Sequence, residues 1–277
     1  MTDTAGTPRT RALASAIRQV LDDSEPSLRT IAKGMGISHT TLSQWAHAKR
    51  VPKAEDVATL LGALGVTGAE RNRILELAHN ASDPNWLTTG IPGISQQLAG
   101  VMECERTAKT IIDWSPALMP GLLQTGGYAR LVLGGGPATP ADLETRITLR
   151  VGRAEAIHRV DPVHLIALIG EAAVKNPIGS DDEHQHQLHH LLKMAGLPNV
   201  SIRLVPSGIG WHPGLMGPFI KFDFPQDPAI VHLEHHRSGV FLYDEADVEA
   251  YAVAADQIRA LALSEEDTAS TIAKLVN

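Results

Sequence analysis

Apolar positions recur with helical spacing through the first eighty residues. Leu13, Ile17, Val20 and Leu21 share one face of a segment from Arg11 to Leu21. Ile31, Met35, Ile37, Leu42 and Trp45 are spaced so that one apolar cluster forms between two short helices. Gly36 supplies the positive φ that a tight inter-helix turn needs. Ser27, after Pro26, and Ser38 stand as helix N-caps, and Pro52 prevents the second helix from continuing. A fourth helix, Ala54 to Leu64, turns Val57, Leu60, Leu61 and Leu64 inward, and a fifth, Ala69 to His79, turns Ile74, Leu75 and Ala78. The pattern predicts an all-α head over residues 10–80, five short helices built around a helix-turn-helix.

Pro84, Gly90, Pro92 and Gly93 then punctuate the chain, and residues 81–93 read as a linker. From Ile94 to Trp114 the apolar residues Leu98, Val101, Met102, Ala108, Ile111 and Ile112 predict one helix, stopped by Pro116. Thr139-Pro140 starts another, with Leu143, Ile147, Val151 and Ala154 on its buried face. Ser180-Asp181-Asp182-Glu183 is a capping box opening a helix that Gly196 ends. His164–Ile169, Val200–Val205, Phe219–Phe224, Ala229–Leu233 and Val240–Tyr243 read as strands, the last three forming antiparallel hairpins. Asp244 caps a helix with Val248, Tyr251, Ala255 and Ile258 inward, and Ser264 caps a last short one. Residues 94–277 are therefore expected to form an α+β domain with a small antiparallel sheet.

Charge divides the chain at the same place. Residues 1–80 carry ten Lys/Arg against eight Asp/Glu, net +2, and the remainder fourteen against twenty-three, net −9. The overall charge of −7 argues against nucleic acid, but a mildly basic head joined to an acidic domain allows it. A single cysteine, Cys104, excludes an internal disulfide framework and fits a reducing cytoplasm. Residues 1–11 lack an apolar signal core, and the uncharged run Leu204–Ile220 is broken by three prolines and four glycines, so neither suits a membrane. A cytoplasmic location is expected.

The outward residues of the second helix of the pair are small or hydrogen-bonding: Ser38, His39, Thr40, Thr41, Ser43, Gln44 and His47. Glutamine can pair bidentately with adenine, and threonine can bond a base edge or touch a thymine methyl. Lys49, Arg50 and Lys53 follow directly, placed for flanking phosphates. The expected partner is a double-stranded DNA operator, read by a homodimer, since such heads bind paired half-sites. Leu28 to Pro52 resembles Xre/Cro-type regulators, through Ile31-Ala32, Gly36-Ile37-Ser38, Thr41-Leu42-Ser43-Gln44-Trp45 and Lys49-Arg50-Val51-Pro52. Members often carry a charged residue after the aromatic position and a glycine before the basic pair, where this chain has Ala46-His47-Ala48.

The segment Pro120-Gly121-Leu122-Leu123-Gln124-Thr125, with Tyr128-Ala129 following, resembles the signature of a companion domain found behind such heads in actinobacterial, WhiJ-like, antitoxin-like regulators. The resemblance continues through Arg146, Arg150, Ala154, Glu171-Ala172-Ala173, Gln187–Leu192, Pro198-Asn199-Val200 and Gly217-Pro218-Phe219. It implies that the acidic domain receives a partner or a signal.

His184, His186, His189 and His190 crowd one helix, and His232, His235 and His236 a hairpin. His186 and His190 share a face, but no cysteine lies near and no zincin glutamate accompanies them, so a polar helix surface is the reading and no metal is expected. Glu103 and Glu105 flank Cys104 and disfavour a reactive thiolate. No nucleophile elbow, phosphate loop or dinucleotide fingerprint appears, so neither a cofactor nor an enzymatic activity is expected. Trp114, Leu122, Gln124, Tyr128, Trp211 and Phe219 gather around glycine-proline loops and are the candidate ligand or partner residues. The sequence thus predicts a DNA-binding transcriptional regulator whose acidic domain senses a small-molecule effector or a partner protein. The rival is an antitoxin-like protein that holds a small cognate protein and autoregulates its operon. A metalloenzyme built on the histidines is the reading from a different class.

Overall fold

The computed structural model describes residues 8–24, 26–80, 96–135, 139–225, 227–234 and 239–276, in two units divided between Thr89 and Gly90. The first unit is all-helical: α1 (Pro8–Asp22), α2 (Leu28–Gly34), α3 (His39–Ala46), α4 (Ala54–Ala63) and α5 (Gly68–Asn80). Its core gathers Leu13, Ile17, Ile31, Leu42, Trp45, Val57, Leu60, Leu61 and Ile74, the inward faces that helical periodicity predicts. Gly36 takes φ +70°, and the Ile37 N–H donates to Ala32 O at 3.0 Å, closing the end of α2. Residues 81–93, the expected linker, lie outside the described residues, as do Trp86, His235 and His236.

The second unit is α+β. Its elements run α6 (Gln96–Thr107), β1 (Thr110–Ser115), a 3₁₀ turn (Gly121–Leu123), α7 (Gly126–Leu133), α8 (Pro140–Gly152), α9 (Glu155–His158), β2 (His164–Gly170), α10 (Glu171–Lys175) and α11 (Asp181–Ala195). They continue with β3 (Val200–Val205), a second 3₁₀ turn (Pro213–Met216), β4 (Phe219–Asp223), β5 (Ile230–Glu234), β6 (Gly239–Leu242), α12 (Glu245–Leu261) and α13 (Glu265–Ala273). Side chains of Thr139, Ser180, Asp244 and Ser264 each accept a backbone N–H at the start of their helices.

The sheet corrects two expectations. It is not small and antiparallel but six-stranded and mixed, in the order β3-β2-β1-β4-β5-β6. β1, β2 and β3 are parallel, and β4, β5 and β6 continue antiparallel. The helix expected over 94–114 ends at Thr107, and its last residues form β1. Thr110-Ile111-Ile112 is a β-branched run suited to a strand. Ile111 faces one core while Ile112 and Trp114 face the other, the two-residue alternation of a strand covered on both sides. Short-range periodicity could not separate the two readings, because Leu98 to Ala108 and Ile111-Ile112 join into one apolar series.

Helices cover both faces. Leu165, Ala167, Ile169, Ile202, Leu204 and Phe222 pack with Cys104 of α6, Tyr128 of α7, Ile157 of α9, Leu188 and Leu191 of α11 and Ile272 of α13. Trp114, Leu168, Val205, Phe219 and Val231 pack against Ala255 and Ile258 of α12. No helix among the described residues is long and apolar enough to cross a membrane.

Candidate functional site

In the first unit, Ser38 Oγ accepts the Thr41 N–H at 3.0 Å and shares a 2.8 Å contact with the Thr41 hydroxyl, so both residues are occupied in capping α3. His39, Thr40 and His47 are exposed, and Ser43 and Gln44 are half-buried between that surface and the core. His47 Nδ1–H donates to Ser43 O at 2.8 Å, which ties its ring to the end of α3. Lys49, Arg50 and Lys53 are exposed in the following turn. Ala48 sits at the position where the resembling family often carries glycine, and it takes φ +55° while buried. A left-handed alanine is strained by roughly 1–2 kcal/mol.

The second unit holds a pocket of about 580 Å³ at the C-terminal end of β1. Along its length β1 has the parallel β2 on one edge and the antiparallel β4 on the other, so the sheet changes direction across it. The carboxyl ends of parallel strands at such a change of direction are where α/β sheets open crevices. Asp113, Gln124, Arg150, Arg153, His232 and Glu234 bring polar groups to this pocket. Trp114, Leu118, Met119, Val132, Leu133 and Phe219 supply apolar wall.

The signature segment is the pocket's scaffold. Gln187 of α11, fully buried, accepts the Thr125 N–H at 2.8 Å and donates to Leu123 O at 2.7 Å. Gln124 Nε2 donates to Met119 O at 2.8 Å, and the Met119 N–H donates to the Tyr128 hydroxyl at 3.1 Å. A Cβ on Gly121 would stand 3.0 Å from Arg153 Nη2 and 3.2 Å from Arg150 Nη1, so a larger residue there would push both guanidinium groups back by a few tenths of an ångström.

Arg153 donates through Nε and Nη2 to both oxygens of Glu105, at 2.8 and 2.6 Å, and the pair is buried. Burial works against the Arg153 charge, but the charge and hydrogen bonds of Glu105 outweigh it and hold the guanidinium above its ordinary pKa. Arg150 lies beside it without such a partner. Burial, then the repulsion of Arg153, pull its pKa down despite Glu234, Glu105 and Asp113. Its Nε is buried with no hydrogen-bond partner among the described residues. Asp113 accepts the Ser115 hydroxyl at 2.7 Å, yet desolvation pushes its carboxyl up to about 6. His232 is 2% exposed, lies 4.5 Å from the Phe241 ring, and has no partner for either ring nitrogen among the described residues. Burial lowers it to about 4.

Of the residues expected from sequence, Trp114, Gln124 and Phe219 line this pocket, while Leu122 and Tyr128 are packed into the core behind it. Trp211 stands elsewhere, 76% exposed on a loop that also displays Leu215 and Met216. Its neighbour His212 is buried edge-on to Trp114, whose indole N–H donates to Gly214 O at 2.9 Å. Sequence reasoning does not gather the charged groups into a site: Asp113 falls in the expected helix, Glu105 is read only as a neighbour of Cys104, His232 only as one of a hairpin's histidines, and Arg150 enters only through the family resemblance. Arg153 carries no sequence signal of its own. The histidines of α11 form no cluster with other metal-ligating side chains, and no metal-ligating group of three is found among the described residues.

Residues 98–274 match a family described as a domain of unknown function, DUF5753. The chain belongs to the DUF5753 family. No curated protein and no solved structure matches it. The matched DUF5753 region contains every pocket residue named above, whereas the five helices of the first unit precede it.

Proposed function

We propose that the protein is a DNA-binding regulator in which α3 reads a duplex operator and the DUF5753 unit receives a small-molecule signal. The observation that carries the DNA half is the surface of α3. A capped helix start displays His39 and Thr40, with Gln44 beside them, and Lys49, Arg50 and Lys53 follow without an ion pair among the described residues. A helix N-terminus favours a phosphate, and the three cations add sequence-independent attraction. The pocket supports a small molecule over a cognate protein as the signal, because Asp113, Gln124, Arg153 and His232 are buried in a concave site rather than spread on a surface. Two heads on paired half-sites make a homodimer the expected bound form.

The test uses the full chain and a random duplex library, from which a preferred site is selected. Gln44→Ala should weaken binding to that site by about 1–3 kcal/mol while leaving random DNA nearly unaffected. Arg50→Ala should weaken both and flatten the salt dependence. A chain that enriches no sequence, or a Gln44→Ala variant with unchanged preference, rules the reading out.

A further inference from the structure

We propose that the DUF5753 pocket binds a small carboxylate carried on a compact apolar body, with the carboxylate seated on Arg150. The chemistry rests on the pocket alone, and only its regulatory consequence rests on the reading above.

Two arginines lie against the Gly121 backbone, and they differ in one respect. Arg153 already has its carboxylate, the buried side chain of Glu105, on the Nε–Nη2 edge. Arg150 has none, and its Nε is a buried donor without an acceptor among the described residues. A buried donor left unpaired costs about 1–3 kcal/mol, more when charged. A planar carboxylate meets that edge with two parallel hydrogen bonds, as Glu105 does next door. A phosphate would bring more charge to a pocket that already holds Asp113 and Glu234.

The remaining groups shape the rest of the ligand. Gln124 is buried with its Oε1 unpartnered, and His232 is buried with both nitrogens unpartnered. At neutral pH the histidine offers one donor and one acceptor, and Gln124 an acceptor. Trp114, Phe219, Met119 and Leu133 provide apolar wall for a body attached to the carboxylate. The volume, about 580 Å³, suits a ligand of ordinary metabolite size. Arg150 thus selects the head group, while the buried Gln124 and His232 favour a body bearing a hydroxyl or amide.

The probes are phenylacetate and cyclohexylacetate, each with its neutral amide and its amine, and inorganic phosphate. They are titrated calorimetrically into the full-length protein. The carboxylates should bind, and the amides, amines and phosphate should bind at least about ten-fold more weakly. Arg150→Gln should reduce carboxylate affinity about ten-fold or more, and Arg150→Lys by less, since lysine keeps the charge but not the fork. Each variant's unfolding temperature separates loss of the site from loss of the fold. Trp211→Ala, outside the pocket, should bind as wild type. The assignment is overturned if no carboxylate binds at millimolar concentration, if an amine or phosphate binds better, or if a folded Arg150→Gln binds unchanged. Carboxylate binding that leaves affinity for the selected DNA unaltered supports the pocket chemistry and overturns the sensor role.

Discussion

The two units keep their polar chemistry in opposite places. Among the described residues, the buried polar side-chain groups of the head are the Thr10 hydroxyl side chain and the Trp45 indole N–H, and no charged side chain is buried there; the residues proposed to read DNA are exposed or half-buried. The DUF5753 unit buries Glu105, Asp113, Gln124, Thr125, Arg153, Gln187, His212, His232 and Thr268. The head therefore depends on apolar packing and local caps, and the second unit on a charge cluster that must be matched. A unit stabilised by burial alone tolerates surface change. A unit with buried charges fails when one partner is removed.

The largest expected effect breaks that cluster. Glu105→Gln leaves Arg153 charged and buried, and should destabilise the second unit by about 3–5 kcal/mol. Calorimetry should show the loss in one transition, with the head's transition unmoved. A loss below about 1 kcal/mol would mean that the Glu105–Arg153 pair is compensated elsewhere.

Two pocket groups should give opposite pH responses. Asp113 has a folded pKa of about 6, above its ordinary 3.8. Its contribution is fully present below 3.8 and is lost as pH rises through 6. Asp113→Asn should thus stabilise the unit at pH 7, by as much as about 3 kcal/mol, and flatten stability between pH 4 and 6. His232 has a folded pKa of about 4, below 6.5, so its contribution is present above 6.5 and lost as pH falls through 4. His232→Gln should therefore resist acid better than wild type over that window. Denaturant melts across pH measure both, and equal pH slopes in wild type and variants would remove the buried-charge contrast.

Smaller effects belong to the head. Ser38→Ala removes the cap of α3 and should cost about 1 kcal/mol. Ala48→Gly relieves the left-handed strain and should gain about 1 kcal/mol, with the second unit unchanged. A loss on Ala48→Gly would show that burial of its methyl group outweighs the backbone strain.

The head was legible because its determinants are local. Ser27 and Ser38 cap their helices by accepting the N–H three residues on, Gly36 turns the chain between them, and the apolar spacing of Ile31, Leu42 and Trp45 sets the inward faces. The caps of α8, α11, α12 and α13 were legible for the same reason. The sheet's hairpins, β4 to β5 and β5 to β6, could be read from adjacent strands. The parallel half could not. β1 meets β2 only after α7, α8 and α9 intervene, and β2 meets β3 only after α10 and α11, so nothing local specifies either pairing. The pocket depends on those pairings. Asp113 on β1, Arg150 in the last turn of α8, Arg153 just beyond it, His232 on β5 and Glu105 on α6 become neighbours only when the strands assemble. The sequence by itself determined the elements whose contacts lie within a few residues. Tertiary structure alone decided which charges share one buried space, because desolvation and pairing act through space and not along the chain.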